Sequence, residues 1–264
     1  MMPDPGGAKL IMEGRVATIF SDRQGARNAM LFATWAALPR LIAEADADAG
    51  VAVIVMRGAG GHFGAGNDIV EFGPMRSDAS SCRAYGQAMA DAMMAVERAT
   101  KPVIAAIEGN CYGASVALTL AADFRIAANN ARFAITPAKL GALYLRSDLH
   151  RLVATIGQGQ ARRMIFTAAA LAASEAAAIG LADLLLNAER FDAELDQVVQ
   201  AILRGSPYTL LHSKRMLRGA GHGATPIENE ESLGWFVDAM QSTDFAEGVT
   251  AFMAKRLPVF SRSA

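Results

Sequence analysis

Residues 62–69 read HFGAGNDI, and residues 107–115 read IEGNCYGAS. Each stretch directly follows an apolar run typical of a buried strand, VAVIVM at residues 51–56 and PVIAAI at residues 102–107. Small residues at the end of a buried strand let the backbone approach a ligand closely. Two such turns side by side can direct two N–H groups at one oxygen, which is how an oxyanion hole is built. The two turns therefore predict an α/β fold with a site lined by backbone.

The rest of the chain continues the alternation of strands and helices. We expect strands at residues 9–13, 16–20, 51–56, 103–107, 124–127 and 133–135, and helices at residues 31–45, 82–98 and 114–122. The alanine-rich residues 168–178 are also expected to form a helix, with Ser174 and Glu175 at its start. A polar loop is expected at residues 74–81. The order of these elements repeats a ββα unit about three times, which predicts a layered α/β architecture.

The chain becomes almost wholly helical from Asp192, which we expect to cap a helix. The sequence GSP at residues 205–207 is a break, and single helices are expected at residues 207–218, 226–242 and 244–256. We therefore divide the chain into a core at residues 1–205 and a C-terminal helical region at residues 206–264. The last three helices have apolar faces larger than a thin layer can bury alone. They should pack on the core or on another subunit.

Length and composition limit the classes of function. The 264 residues are 52% hydrophobic, which is enough for one large core. The net charge of -1 favours neither nucleic acid nor an anionic membrane as a partner. The first residues lack the charged and apolar regions of a secretory signal, and the greasiest stretch, residues 114–122, is too short to span a bilayer. Cys82, Cys111 and four scattered histidines have no metal-ligand spacing. We expect a cytoplasmic protein with no metal, no nucleic-acid partner and no membrane partner.

The order and surroundings of the two turns make them specific. Together with KPVIAAIEG at residues 101–109, they resemble the enoyl-CoA hydratase/isomerase (crotonase) superfamily, and the resemblance runs from about residue 10 to residue 260. It implies an α/β, crotonase-like spiral of repeated ββα units that binds acyl-CoA, followed by a C-terminal helical region that covers the active site. In that family the C-terminal region builds trimers, often stacked into hexamers. The resemblance therefore implies a homotrimer or a hexamer that is a dimer of trimers.

The resemblance also implies the substrate, an acyl-CoA thioester, with coenzyme A as part of the substrate and no separate cofactor. It assigns the backbone N–H groups of Asn67 and Ala114 to the thioester carbonyl oxygen. Reaction at the α or β carbon of a thioester gathers negative charge on that oxygen, and two preorganised donors stabilise the resulting enolate. Ala114 stands where the family usually has glycine, and a methyl group there need not block the N–H.

Contacts with the substrate or its CoA portion are implied by the resemblance at Arg27, Asn28, Ala65, Gly66, Asp68, Ile69, Gly113, Phe236 and Lys255. Arg27 and Asn28 belong to an early loop beside the nucleotide end of CoA. Lys255 belongs to a basic pair that in relatives reaches the adenosine phosphate of a neighbouring subunit's CoA. Asp68 is a better candidate for capping the helix that follows it, and Phe236 fits a helix core as well as it fits an adenine contact.

The chain departs from the family pattern at its acid/base positions. A hydratase of this family uses two glutamates to hold and deprotonate water, and Ala117 and Pro137 stand at those positions. Isomerases of the family often carry a carboxylate at the position of Leu145. None of the three side chains can transfer a proton, so ordinary water addition lacks its acid/base pair.

Other polar residues follow in the same part of the sequence. TPAKLG at residues 136–141, followed by Tyr144, looks like family members that decarboxylate malonyl-type CoA esters, where this tyrosine faces the thioester. Decarboxylation forms the same enolate and needs no general base. Asp148 and His150 could restore acid/base function if they turn inward, although a helix-start cap and a surface residue are the interpretations that we prefer.

Three functions therefore stay open at the level of the sequence. The first is an enzyme of the family that acts on an acyl-CoA thioester through an enolate, with Asn67, Ala114, Tyr144 and Asp148 as candidate catalytic residues. The second is a malonyl-type acyl-CoA decarboxylase that uses Tyr144. The third is a catalytically silent acyl-CoA-binding subunit. Two intact turns favour an enzyme, because a scaffold need not keep two donors aligned.

Overall fold

The computed structural model describes residues 7–75, 78–220 and 230–260 of the chain. The strands are β1 (Ala8–Glu13), β2 (Val16–Ser21), β3 (Val53–Gly58), β4 (Val103–Ile107), β5 (Asn110–Tyr112), β6 (Phe124–Ala128), β7 (Arg132–Ala134), β8 (Leu171–Ala172) and β9 (Leu184–Leu186). The helices of the core are α1 (Phe32–Ala47), α2 (Ile69–Met75), α3 (Ala79–Arg98), α4 (Ala114–Leu120), α5 (Pro137–Leu140), α6 (Arg146–Thr167) and α7 (Ala173–Ala178). They are followed by α8 (Phe191–Leu203), α9 (Pro207–Ala220), α10 (Glu230–Gln241) and α11 (Thr243–Met253).

Six strands form the main sheet in the order β1-β2-β3-β4-β6-β9. The first pair is antiparallel, and the other neighbours are parallel. Strands β3 and β4 are buried on both faces: Ile54 and Met56 face the main core, and Val53 and Val55 face a second cluster under α8. Burial on both faces explains why these strands are continuous apolar runs in the sequence.

The ββα repetition expected from the sequence is present. Strands β4 and β5 are followed by α4, and strands β6 and β7 are followed by α5 and α6. Strands β5, β7 and β8 form a separate three-stranded sheet. In the unit that begins with β3, the second strand is reduced to a single bridge between Gly64 and Cys111. The small sheet thus extends to the first of the two turns.

The structure corrects several local predictions. The prediction of a loop at residues 74–81 is wrong for most of these residues, because α2 continues to Met75 and α3 begins at Ala79. Asp78 caps α3 by accepting hydrogen bonds from the N–H groups of Ser80 and Ser81. Within the alanine-rich stretch from residue 168, the helix begins at Ala173 after the short strand β8, one residue before the expected start at Ser174.

The C-terminal boundaries also differ from the prediction. Asp192 lies inside the first turn of α8, whose N-cap is Arg190, and its carboxylate pairs with Arg57 Nη1 at 2.8 Å. The first residues of the helix expected at 226–242 lie outside the described residues, and α10 is described from Glu230. Helix α11 ends at Met253, three residues before the predicted end.

An ion pair between a buried lysine and a more exposed aspartate fastens the C-terminal helices to the core. Lys214 on α9 is only 8% exposed, and its Nζ lies 2.5 Å from Asp123 Oδ2 and donates to the carbonyl of Lys101 at 2.7 Å. Asp123 also accepts from the N–H of Val103 at 2.7 Å, which ties it to the first residue of β4. Large apolar side chains on α10 and α11 stay exposed in the single chain, namely Leu233, Phe236, Val237, Met240, Phe245, Val249, Phe252 and Met253.

Within the described ranges, none of the helices has both the length and the hydropathy that crossing a bilayer requires.

Candidate active site

The two turns singled out in the sequence lie side by side. The N–H of Phe63 donates to the carbonyl of Glu108 at 2.8 Å, and the N–H of Gly64 donates to the carbonyl of Asn110 at 2.9 Å. In return, the N–H of Tyr112 donates to the carbonyl of Gly64 at 2.9 Å. This ladder fixes the first turn against the second.

Beyond the ladder, the turns approach each other as closely as glycine permits. Gly66 has a φ of +89°, and a Cβ at this position would lie 2.8 Å from the carbonyl oxygen of Tyr112 and 3.2 Å from the N of Ala114. Its own N–H donates to Ser115 Oγ at 3.0 Å. A side chain at residue 66 would push the two turns apart, so glycine is required here.

The backbone N–H groups of Asn67 and Ala114 find no acceptor among the described residues. Ala114 is the first residue of α4, and Asn67 lies two residues before α2. Residues that begin a helix have no intrahelical acceptor for their N–H groups, which explains why these two stay unpaired. Since Gly66 directly precedes Asn67 and contacts the segment around Ala114, the two N–H groups belong to adjoining segments. They can donate to a ligand.

The side chain of Asn67 is engaged within the protein. Its Oδ1 accepts from Trp35 Nε1 at 2.9 Å, and its Nδ2 lies 3.5 Å from the Sδ of Met89. These contacts hold the residue by its side chain and leave its backbone N–H as the group that can meet a ligand.

Asp68 caps α2, as preferred in the sequence analysis. Its Oδ1 accepts from the N–H of Val70 at 3.0 Å, and its Oδ2 accepts from Arg23 Nη2 at 2.9 Å. Both oxygens therefore have structural partners. Ile69, the first residue of α2, is 58% exposed.

The early loop is attached to the first turn through Asn28. Arg27 and Asn28 both have left-handed backbone conformations, with φ of +49° and +57°. The fully buried amide of Asn28 donates to the carbonyls of Ala59 at 2.8 Å and His62 at 2.6 Å. The side chain of Arg27 is exposed beside it. Asn28 thus supports the turn, and any contact of this loop with CoA stays a prediction.

The positions of the missing acid/base groups are filled by side chains that cannot titrate. Ala117 lies in α4 and is fully buried. Pro137 is the first residue of α5, where proline is well tolerated. Leu145 holds the N-cap position of α6.

Tyr144 lies between α5 and α6 and contacts the second turn. Its hydroxyl donates to the carbonyl of Gly113, the residue directly before Ala114. Burial raises the pKa of the phenol well above its ordinary value, and the nearby Cys111 and Asp148 raise this pKa further. The hydroxyl is therefore neutral and acts as a donor. Its expected hydrogen bond to a substrate stays a prediction, because in this structure its proton is engaged by Gly113.

Asp148 turns inward, so the interpretation as a helix-start cap is wrong. Its side chain is fully buried; Oδ1 accepts from Arg151 Nη1 at 3.1 Å, and Oδ2 has no partner among the described residues. Burial raises the pKa of this carboxyl to about 6, although the Arg151 guanidinium acts in the opposite direction. Arg151 also pairs with Glu97 on α3 at 2.6 Å. His150, by contrast, is exposed, as expected of a surface residue.

Two predicted CoA contacts lie in the C-terminal region. Phe236 on α10 is 62% exposed, so it is not a helix core residue within the single chain. Lys255 is exposed just beyond the end of α11 and has a φ of +50°. Their contacts with CoA stay predictions.

Sequence reasoning missed three residues that hold the site together. Ser115 ends the second of the two sequence stretches, and its hydroxyl joins the two turns. His62 also joins them, because its Nδ1 accepts from the N–H of Asn110 at 3.1 Å. Arg23 links Asp68 to the early loop by donating to the carbonyl of Ala29. Ser115 and His62 are polar residues in or beside glycine-rich turns, and this feature of the sequence could have indicated that they join the two turns.

The family model described as enoyl-CoA hydratase/isomerase matches residues 12–263. The chain is 30% identical to the short-chain-enoyl-CoA hydratase of Clostridium acetobutylicum, over 92% of this chain and 93% of that protein. It is 29% identical to the methylmalonyl-CoA decarboxylase of Escherichia coli, over 78% of this chain and 80% of that protein.

A solved structure supports the same assignment. The crystal structure of an enoyl-CoA hydratase/isomerase family protein from Hyphomonas neptunium superposes with a TM-score of 0.91 at 37% sequence identity. The match covers 97% of this chain and 98% of that chain. The crotonase-like α/β fold implied by the family resemblance is confirmed. On the family match and the shared fold, the chain belongs to the enoyl-CoA hydratase/isomerase family.

Proposed function

We propose that the chain binds an acyl-CoA thioester and stabilises its enolate with the backbone N–H groups of Asn67 and Ala114. One observation carries this proposal: two N–H groups that have no acceptor in the described part of the chain lie on turns that are hydrogen-bonded side by side. Negative charge develops on the thioester oxygen when the enolate forms. A preorganised donor of this kind contributes about 3 kcal/mol to the stability of such a transition state.

The reaction is constrained by the residues at the missing glutamate positions. Ala117 and Pro137 cannot hold or deprotonate water. We therefore expect the chain to hydrate crotonyl-CoA more slowly than a hydratase that carries both glutamates, by roughly 10²–10⁴-fold for each glutamate that is missing. Decarboxylation of a malonyl-type acyl-CoA avoids this need. The bond between the α carbon and the carboxylate breaks, its electron pair enters the enolate, CO₂ leaves, and solvent supplies a proton to the α carbon. Similarity to a methylmalonyl-CoA decarboxylase supports this reaction.

A second candidate is proton transfer by Asp148, in an isomerisation or hydration. It is favoured by one observation, the buried Oδ2 that has no partner within the described ranges. A carboxyl with a pKa of about 6 is close to the range in which a group can both accept and release a proton near neutral pH. Incubation with malonyl-, methylmalonyl- and crotonyl-CoA separates the candidates by product: released CO₂, or a hydrated or isomerised acyl group.

The donor role can be tested by removing one N–H group without removing the helix. Ala114 is the first residue of α4, a position at which proline fits and its missing N–H breaks no helical bond. We expect Ala114→Pro to lower turnover by about 10²-fold. Ala173→Pro is the matched control, since Ala173 is likewise the first residue of a helix, α7.

Calorimetry with acetyl-, crotonyl- and malonyl-CoA measures binding in the wild type and both variants. Absence of heat with all three thioesters in the wild-type protein would refute the proposal. Binding without turnover of any thioester would identify the chain as a silent acyl-CoA-binding subunit. Equal losses in Ala114→Pro and Ala173→Pro would show that folding, and not the donor, had been damaged.

We also propose that the chain forms trimers or hexamers. Exposed apolar side chains on α10 and α11, including Phe252 at 81% exposure and Met253 at 77%, support this proposal. Surfaces of this kind mark contact with another protein surface. In such an assembly, Phe236 and Lys255 would be available to a neighbouring subunit's CoA.

A further inference from the structure

We infer that Tyr144 is a positioning residue that acts through the Gly113–Ala114 peptide: its hydroxyl orients and polarises this peptide, which makes the Ala114 N–H a stronger donor. The inference rests on the proposed enolate-stabilising function. It differs from the role expected for this tyrosine from the sequence, in which the phenol meets the substrate itself.

The geometry of one peptide group carries the inference. Tyr144 donates to the carbonyl oxygen of Gly113, and this carbonyl and the N–H of Ala114 belong to the same peptide. The described chain contains no cis peptide bond, and in a trans peptide the C=O and N–H point in opposite directions. The Tyr144 hydroxyl therefore lies on the carbonyl side of this peptide, and the N–H of Ala114 points away from it on the opposite side.

The same peptide is one whose orientation needs support. Gly113 has φ of +53° and ψ of −127°, a region open to glycine and closed to other residues. Because glycine is permissive, its own backbone preference does not fix the plane of the following peptide. The N–H of Gly113 donates to the carbonyl of Ala134 at 2.8 Å, and the carbonyl of Gly113 accepts from Val116 at 3.0 Å. The Tyr144 hydroxyl adds a side-chain hydrogen bond to this carbonyl.

The surroundings keep Tyr144 in its donor form. Its ring is removed from most solvent, and burial raises the pKa of its hydroxyl, an effect strengthened by Asp148 and Cys111. A neutral phenol can donate one hydrogen bond. Hydrogen bonds in a chain strengthen one another by about 10–30% per bond. If the contribution of the Ala114 N–H to transition-state stabilisation increases by this fraction, turnover changes by about two- to fivefold.

Nuclear magnetic resonance can test the link without any ligand. Protein labelled with ¹³C at glycine carbonyls and ¹⁵N at alanine selects the few Gly–Ala peptides, and the signal that disappears in Ala114→Pro identifies Gly113–Ala114. We expect Tyr144→Phe to shift the Ala114 ¹⁵N signal, because the carbonyl of that peptide loses a hydrogen bond. Tyr208→Phe is the matched control, since its hydroxyl lies on α9 beside Trp235 and Asp238. An unchanged Ala114 signal in Tyr144→Phe would overturn the inference.

Infrared spectroscopy of bound [1-¹³C]acetyl-CoA tests the consequence for the ligand. A carbonyl that accepts stronger hydrogen bonds absorbs at lower frequency. We expect the thioester C=O band to lie at lower frequency in the wild-type complex than in free acetyl-CoA. In Tyr144→Phe, the frequency should return part of the way towards that of the free ligand. Affinity should stay nearly unchanged, and kcat should fall about two- to fivefold with little change in KM.

The outcomes separate the inference from the proposed function. If the wild type binds no thioester, or binds it without a band shift, the proposed function fails, and the consequence inferred for Tyr144 fails with it. If the wild type shows the shift and Tyr144→Phe shows the same shift, the inference alone is wrong. Should Tyr144→Phe fail to fold, 3-fluorotyrosine at position 144 replaces it. This residue keeps the ring and is a stronger donor, so the Ala114 signal and the thioester band must move in the opposite direction.

Discussion

Replacing the buried Asp148 by asparagine should stabilise the protein at neutral and alkaline pH. The pKa of this carboxyl is raised from 3.8 to about 6 because burial disfavours its charged form. The groups that face it are Arg151 on its own helix, which pairs with Glu97 on α3, and Tyr144 on the side of the second turn. Asparagine has nearly the same shape and carries no charge.

The magnitude and sign follow from the two pKa values. Each pKa unit corresponds to about 1.4 kcal/mol, so a shift of about two units corresponds to about 3 kcal/mol. Because the folded-state pKa of Asp148 lies above the unfolded-state value, its contribution to stability is fully present below pH 4. That contribution is lost as the pH rises through 6. Asp148→Asn avoids this loss.

Urea unfolding of wild type and Asp148→Asn between pH 4 and pH 8 provides the measurement. The difference between their free energies of unfolding should rise by about 3 kcal/mol in favour of the variant across this range. Asp196→Asn, at an exposed carboxylate on α8, is the control and should give a flat difference. A flat difference for Asp148→Asn, or a variant less stable than wild type at pH 8, would show that Arg151 compensates the buried charge fully and would refute the reasoning.

Three further substitutions test other parts of the structure. Ser115→Ala removes the acceptor of the Gly66 N–H and should lower the free energy of unfolding by about 1 kcal/mol, measured by urea, and weaken thioester binding by calorimetry. Lys214→Met breaks the ion pair with Asp123 and should cost about 2 kcal/mol; an unchanged unfolding midpoint would mean that α9 is held by apolar packing alone. Light scattering should give three or six times the monomer mass of 27.8 kDa, and Phe252→Asp should lower the measured mass. A wild-type protein with the mass of a monomer would exclude the trimer.

The parts of the fold that the sequence predicted well are those set by local burial. Strand β4 was placed correctly and β3 was recognised two residues too early, because parallel strands buried on both faces are continuous apolar runs. The turns that follow them were recognisable because close backbone approach requires small residues, as Gly66 shows. Helix α4 was predicted two residues too long, since its final residues form a turn that is as apolar as the helix itself.

The errors arise where a distant part of the chain decides the outcome. Asp148 looked like a cap because acidic residues favour helix starts, but α6 packs that side of its first turn inward, and Leu145 takes the N-cap position. The hydroxyl of Tyr144 bonds to a carbonyl 31 residues earlier in the chain, a partner that no local pattern indicates. Polar composition favoured a loop at residues 74–81, whereas Asp78 supplies a cap that starts α3 early.

The ladder between the two turns has a kinetic consequence for folding. Its first bond joins Phe63 to Glu108, so the ladder closes a loop of about 45 residues that includes α2 and α3. Closing such a loop costs chain entropy before any contact repays it, and contacts between distant residues form slowly. We therefore expect the pairing of the two turns to form late in folding. Because a thioester would bind the finished pair and not the unfolded chain, a concentration one hundred times its Kd should stabilise the native state by about 2.7 kcal/mol. Recovery of acyl-CoA binding after dilution from urea would then follow the last step of folding, behind the recovery of helical circular dichroism.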